Sequence, residues 1–152
     1  MVAIKTLSFL TFCLMAVSAH AEIIAECGSS DGYTYFPSIG LNPNQDGIFT
    51  ADKISDGSIA LELREDGTFD VLFRSRPENK RSSIVEGAKV FRIGRGGNEL
   101  TVAVIYPMLS EVYTFMQTRL GPEVMWTTNK HSTPVLKAGA YLSRCTKLIL
   151  PK

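Results

Sequence analysis

The chain has 152 residues, with 16 Lys and Arg against 15 Asp and Glu, a formal net charge of +1 and 45% hydrophobic residues. That length suits one domain behind a leader. So even a charge balance excludes a dedicated nucleic-acid binder, which draws much of its affinity from a basic excess.

Met1 to Ala21 carry one positive charge at Lys5, an apolar run from Leu7 to Val17 and the small-x-small sequence Ala19-His20-Ala21. These are the three parts of a secretory signal peptide. The apolar run is shorter than the ~20 residues that span a bilayer. The expected mature chain, residues 22–152, is therefore a single domain in the periplasm or secreted, with no transmembrane segment. Losing the leader removes Lys5, Cys13 and His20 and leaves 15 basic against 15 acidic residues, with Cys27, Cys145 and His131. Two cysteines in an oxidising compartment predict the disulfide Cys27–Cys145; two unpaired thiols are the alternative.

Glu22 to Cys27 reads as a short strand, Gly28-Ser29-Ser30-Asp31-Gly32 as a turn, and Tyr33 to Phe36 as a second strand stopped by Pro37. Such Gly, Ser and Asp clusters tolerate the backbone angles of turns. Ser38 to Gly57 shows no periodicity and reads as a long irregular connection, a place where activity often resides. Ile59, Leu61 and Leu63, then Phe69, Val71 and Phe73, alternate with polar or small residues on either side of Glu65-Asp66-Gly67. This predicts a hairpin with Leu63 opposite Phe69, Leu61 opposite Val71 and Ile59 opposite Phe73, with Gly67 left-handed in the turn.

Arg74 to Ser83 reads as a polar loop. Ala88 to Ile93 and Glu99 to Tyr106 predict a second hairpin about Gly96-Gly97, pairing Ile93 with Leu100 and Phe91 with Val102. Val112 to Thr118 and Val124 to Thr128, joined across Arg119 to Pro122, predict a third with Phe115 opposite Trp126. A last strand spans Ala138 to Ile149. The count, about eight or nine short strands, argues for an all-β fold. The expected architecture is a single antiparallel up-and-down β-barrel, lipocalin-like, closed at a seam by the disulfide between first and last strands, with an open two-sheet sandwich as alternative.

Candidate chemistry is sparse. Asn42-x-Asn44-x-Asp46-Gly47 starts like a calcium loop, but Lys53 stands where the closing glutamate belongs. His131 has no Gly-x-Ser-x-Gly nucleophile elbow to serve, and zinc would need more nitrogen and sulfur ligands than are free. Glu62 and Asp70 read as solvent-facing hairpin residues. Gly94-Arg95-Gly96-Gly97 precedes no helix, so it reads as a turn and not a phosphate cradle. No metal and no cofactor is expected. What remains is a basic segment, with Arg74, Arg76 and Arg81 as possible contacts for an acidic partner, and aromatics on nearly every strand, Tyr33, Tyr35, Phe36, Phe69, Phe73, Phe91, Tyr106, Tyr113, Phe115, Trp126 and Tyr141. These either fill a barrel or line a small apolar pocket, with Tyr33, Tyr35, Phe36, Tyr113, Phe115 and Trp126 as possible contacts.

Glu-Cys-Gly at 26 to 28, Ile-Ser-Asp-Gly-Ser at 54 to 58, Trp-Thr-x-x-Lys at 126 to 130 and Lys-x-Gly-Ala-Tyr-x-x-x-Cys at 137 to 145 together resemble a family of small uncharacterised secreted or periplasmic proteins of Gram-negative bacteria. The resemblance implies an exported home and brings no activity with it. The functional expectation is a non-enzymatic binding module that holds a small apolar ligand or an envelope protein. The alternatives are an inhibitor or immunity protein that blocks a hydrolase with the Ser38 to Gly57 loop, and a small hydrolase.

Overall fold

The computed structural model describes residues 20–39, 47–74 and 80–151. The expected leader up to residue 19, the calcium-like ligands Asn42, Asn44 and Asp46, and Arg76 lie outside the described residues. Among the described residues ten strands form one antiparallel sheet: β1 (Glu22–Tyr35), β2 (Phe49–Ile54), β3 (Ser58–Leu63), β4 (Phe69–Arg74), β5 (Arg81–Ser82), β6 (Lys89–Arg95), β7 (Glu99–Tyr106), β8 (Leu109–Thr118), β9 (Gly121–Lys130) and β10 (Lys137–Leu148). No helix of the described residues is long and apolar enough to cross a membrane.

The strand order is β5-β4-β3-β1-β10-β9-β8-β7-β6, with β2 also paired to β1. First and last strands do pair, and Cys27 and Cys145 face each other in that ladder and are bonded, their Cα atoms 3.7 Å apart. The bond does not close a seam, however, because β1 and β10 lie in the middle of the sheet. The ladder ends at β5 and β6, and although Cα atoms of β4 and β6 come within 8 Å, no ladder joins them. The sheet is thus a curled half-barrel and not the expected closed ring. Its open edges explain why: β5 has only two residues, and β6 carries Lys89, Arg92 and Arg95 and a bulge between Arg92 and Gly94. Short, charged and bulged strands resist edge pairing.

β1 shows how a turn-like sequence can stay extended. Its register shifts at Glu26/Cys27 and again at Cys27/Ser30, so the first half pairs with β3 and the second with β2. The predicted turn at Gly28 to Gly32 is therefore a bulge inside one long strand, a device that bends a sheet at a barrel corner. Gly32 is required there, since a Cβ would lie 2.1 Å from the Ala140 carbonyl oxygen and 2.7 Å from the Tyr141 ring.

The β3–β4 hairpin has the expected register throughout, with Gly67 at φ 79° and its N–H donating to the Arg64 carbonyl. Two other hairpins shift. In β6–β7 the turn lies one residue later, at Gly97-Asn98, and a bulge follows between Arg92 and Gly94, pairing Arg95 with Leu100, Arg92 with Val102 and Phe91 with Ala103; Phe91 and Ile93 consequently sit exposed on an edge. In β8–β9 the strands run on to Thr118 and Gly121, φ 110°, so Tyr113 and not Phe115 faces Trp126, and Phe115 faces Val124. Pro122 is tolerated near the start of β9, a position open to proline. The connection from Ser38 to Gly57 is not wholly irregular, because it contains β2; nor is Arg74 to Ser83, because it contains β5.

Alternation sends Ile24, Ile59, Leu61, Val71, Leu100, Val102, Phe115 and Val124 inward, where they are almost fully buried. The interior is filled. At the end where β1 begins, Leu148 and Leu150 pack against this core, the Ile149 N–H donates to the Ile24 carbonyl, and Arg95 donates to the Pro151 carbonyl. That end is covered. The opposite end, with the β7–β8 hairpin and the starts of β6 and β10, carries the site.

Candidate functional site

Four rings climb the inner face of β8, β9 and β10. Phe115 and Tyr113 stack at 6.3 Å, Tyr113 and Trp126 at 5.5 Å, and Trp126 and Tyr141 at 4.3 Å between centroids, while Phe73 of β4 meets Trp126 edge-on at 6.4 Å. The Trp126 indole N–H donates to Ser30 Oγ at 3.2 Å, which fixes the middle ring. Offset rings of this kind add packing beyond their buried area. They make a rigid floor.

Above that floor the inward positions of β8 continue toward the open end as Glu111 and Leu109. The Tyr113 hydroxyl donates to Glu111 Oε2 at 2.8 Å. Burial lifts the Glu111 carboxyl above its ordinary value, against hydrogen bonds from Tyr113 and Thr128 that favour the charged form. Burial also pushes the phenols of Tyr113 and Tyr106 up, with the Glu111 charge adding to both. Among the described residues Glu111 has no cation within 4.0 Å.

Glu111 lines a cleft of about 550 Å³ with Phe73, Tyr106, Pro107, Met108 and Leu109. Arg81 and Glu86 complete its rim and are paired with each other at 3.1 Å. The cleft therefore lies beside the gap where the ladder stops. Across the same open end, Asp52 of β2 accepts from the Tyr141 hydroxyl at 2.7 Å and from Lys137 Nζ at 3.2 Å. The Tyr141 bond chiefly holds the Asp52 carboxyl below its ordinary value, and Tyr141 is raised, by burial first and then by Asp52. The Lys137 ammonium also lies 5.7 Å from the Phe36 ring centre.

The residues expected from sequence separate into three places. Tyr113, Phe115 and Trp126 come together, but as the buried floor, with Tyr141 of the same aromatic set as fourth member. Phe36, Arg74 and Arg81 reach the open end; Phe36 flanks Lys137, Arg81 is held by Glu86, and the Arg74 Nε is buried without a hydrogen-bond partner among the described residues. Tyr33 is 60% exposed on the outer face, and Tyr35 packs on Phe49 at 5.3 Å. Asp70 corrects an expectation: it is buried and accepts from Ser82 Oγ and the Ile84 N–H, so it anchors β5 to β4 instead of facing solvent. His131 contacts Ser132 at 3.3 Å in the exposed connection after β9. No group of three or more His, Cys, Asp or Glu among the described residues is placed to hold a metal.

Sequence reasoning missed Glu111 and Asp52, and saw Tyr106 only as one of the recurring aromatics. For Glu111 a signal existed, since Leu109, Glu111, Tyr113 and Phe115 share one strand parity, and parity alone turns the carboxylate inward. Compared with protein-family models, curated proteins and solved structures, the chain matches none.

Proposed function

We propose that the chain is a non-enzymatic binding module, working in the periplasm or outside the cell, that seats one small and largely apolar ligand in the open-end cleft. The observation that carries this reading is the cleft of about 550 Å³ in which five apolar or aromatic side chains lie with the Glu111 carboxylate and the paired Arg81 and Glu86. Its size lies inside the roughly 300–1,000 Å³ range of small-molecule sites, and its lining has their usual character. The leader-like sequence of Met1 to Ala21, the Cys27–Cys145 bond and the resemblance to exported proteins support the location. In this reading the half-barrel works as a lipocalin-like calyx whose ligand rests at the mouth, the interior being taken by its own side chains. Hydrolysis is the weaker reading, because Glu86 at the same cleft is engaged by Arg81 and leaves Glu111 without a free second carboxylate. An inhibitory loop is weaker too, because residues 49–54 of the long connection are paired into the sheet.

Trp126, the single tryptophan, reports on the floor of the cleft. The apolar dye N-phenylnaphthylamine is expected to bind saturably at one site per chain and to change the Trp126 emission, and Leu109→Lys to weaken it by about tenfold or more. Absence of saturable binding, or an unchanged affinity in the variant, would remove the cleft as the seat.

A further inference from the structure

Resting on that cleft reading, we infer that the ligand is a small organic cation, an ammonium group carried on an apolar body, with Glu111 as its counter-charge. Glu111 is the one carboxylate or cation of this lining that no ion pair of the described residues satisfies, while its neighbours Arg81 and Glu86 neutralise each other at 3.1 Å. The partners it has, the Tyr113 and Thr128 hydroxyls, supply hydrogen bonds but no positive charge. A carboxylate partly removed from water is stabilised by either a proton or a cation. Among the described residues the cleft has no cation left for it, since its Arg81 is taken by Glu86, and it is open at the side where a ligand would enter.

The rest of the lining fits the same guest. Tyr106 and Phe73 present aromatic rings, the surface on which an ammonium group gains cation–π attraction. Met108, Leu109 and Pro107 give the apolar body its contact. An anionic guest would meet Glu111 in a part-desolvated site, where like charges repel more strongly than in bulk water, and a neutral guest would leave the carboxylate uncompensated. The chemistry of recognition is thus a part-buried acid beside aromatic rings.

The test compares four probes of matched length: hexylammonium, hexyltrimethylammonium, hexanol and hexanoate, read by calorimetry and by Trp126 emission on the full, oxidised mature chain. Both cations are expected to bind at least about tenfold tighter than hexanol, with hexanoate weakest. In Glu111→Gln the preference of cation over alcohol should shrink to within about twofold. Equal binding of hexylammonium and hexanol, tighter binding of hexanoate, or an undiminished preference in the variant would overturn the inference while leaving the cleft reading in place. If none of the four binds although N-phenylnaphthylamine does, the inference also falls; if the dye fails as well, both fall. Should Glu111→Gln not fold, Tyr106→Leu removes the ring and keeps the apolar bulk. It is expected to weaken hexyltrimethylammonium at least about fivefold more than hexanol, and an equal loss for both would overturn the proposal.

Discussion

At Glu111 the parity of β8 places a carboxylate among aromatic rings, and the raised position of its titration has a stability consequence of definite sign. Between the ordinary carboxylate value and the raised one, the folded chain binds more protons than the unfolded chain, so stability increases as pH falls through that window. Above it the ionised, part-desolvated group opposes folding. Glu111→Gln keeps an oxygen that can accept from the Tyr113 hydroxyl and removes the charge. The variant is expected to melt above the parent near pH 7 and to lose that advantage near pH 4, where the parent carboxyl is protonated; thermal scans by circular dichroism at the two values decide it, and a lower melting point for the variant near neutrality would contradict the account. Tyr106 and Tyr113, the titratable groups coupled to Glu111 across the cleft, stay neutral throughout this range. Asp52 has the opposite sign, since the Tyr141 bond lowers its titration and the stability it lends is lost as pH falls. Neither residue stood out in the sequence. A charge inside a strand ordinarily reads as solvent-facing, and only the parity it shares with Tyr113 and Phe115 says otherwise, whereas the aromatic floor was visible because large rings recur on successive strands.

Among the elements, β1 carries the local chemistry that shapes the sheet. Its bulge sits between Cys27 and Ser30, and Gly32 lies just beyond, pressed against β10. Gly32→Ala would drive a Cβ into backbone and ring atoms that cannot rotate away and is expected to cost about 2–3 kcal/mol or more. Gly28→Ala, with nothing within 4 Å of its Cβ, is expected to stay within about 1 kcal/mol of the parent. Urea denaturation of the two variants compares them directly, and equal midpoints would refute the packing argument. The same contrast explains which hairpins were legible. Between β3 and β4 one glycine follows Glu65-Asp66, one turn geometry suits it, and only one register keeps the apolar residues together. Between β6 and β7, Gly94, Gly96 and Gly97 offer several turns, and a bulge at Ile93 resets the parity that the pattern depends on. β2 escaped notice because its Thr50, Asp52 and Lys53 dilute any apolar alternation, and its order comes from pairing with β1.

For the molecule as a whole, the disulfide ties two neighbouring strands at the middle of the sheet and encloses nearly all of the chain. With a sequence separation of 118, its removal is expected to destabilise the fold by about 5 kcal/mol in the chain-entropy model. Urea titrations of oxidised and reduced protein measure this, with a two-dalton mass increase confirming reduction; equal midpoints would show the bond to be inconsequential. That first and last strands adjoin was legible from two cysteines alone, whereas the side on which the ring stays open was not, because it is set by the charged, bulged edge of β6 and the brevity of β5. The same bond governs how the protein bears mechanical load. Glu22 and the end of β10 lie side by side, so tension applied at Glu22 and Leu148 opens the β1–β10 ladder as a zipper, one pair at a time. After Ala25–Leu148 and Glu26–Lys147 it reaches the sulfur bridge. Oxidised, the bridge takes the pull and the remaining 118-residue separation, about 400 Å of extended chain at ~3.3–3.6 Å per residue, feels none of it. Reduced, the whole length becomes extensible, and the bond is in effect a redox-controlled strain relief for everything the sheet encloses.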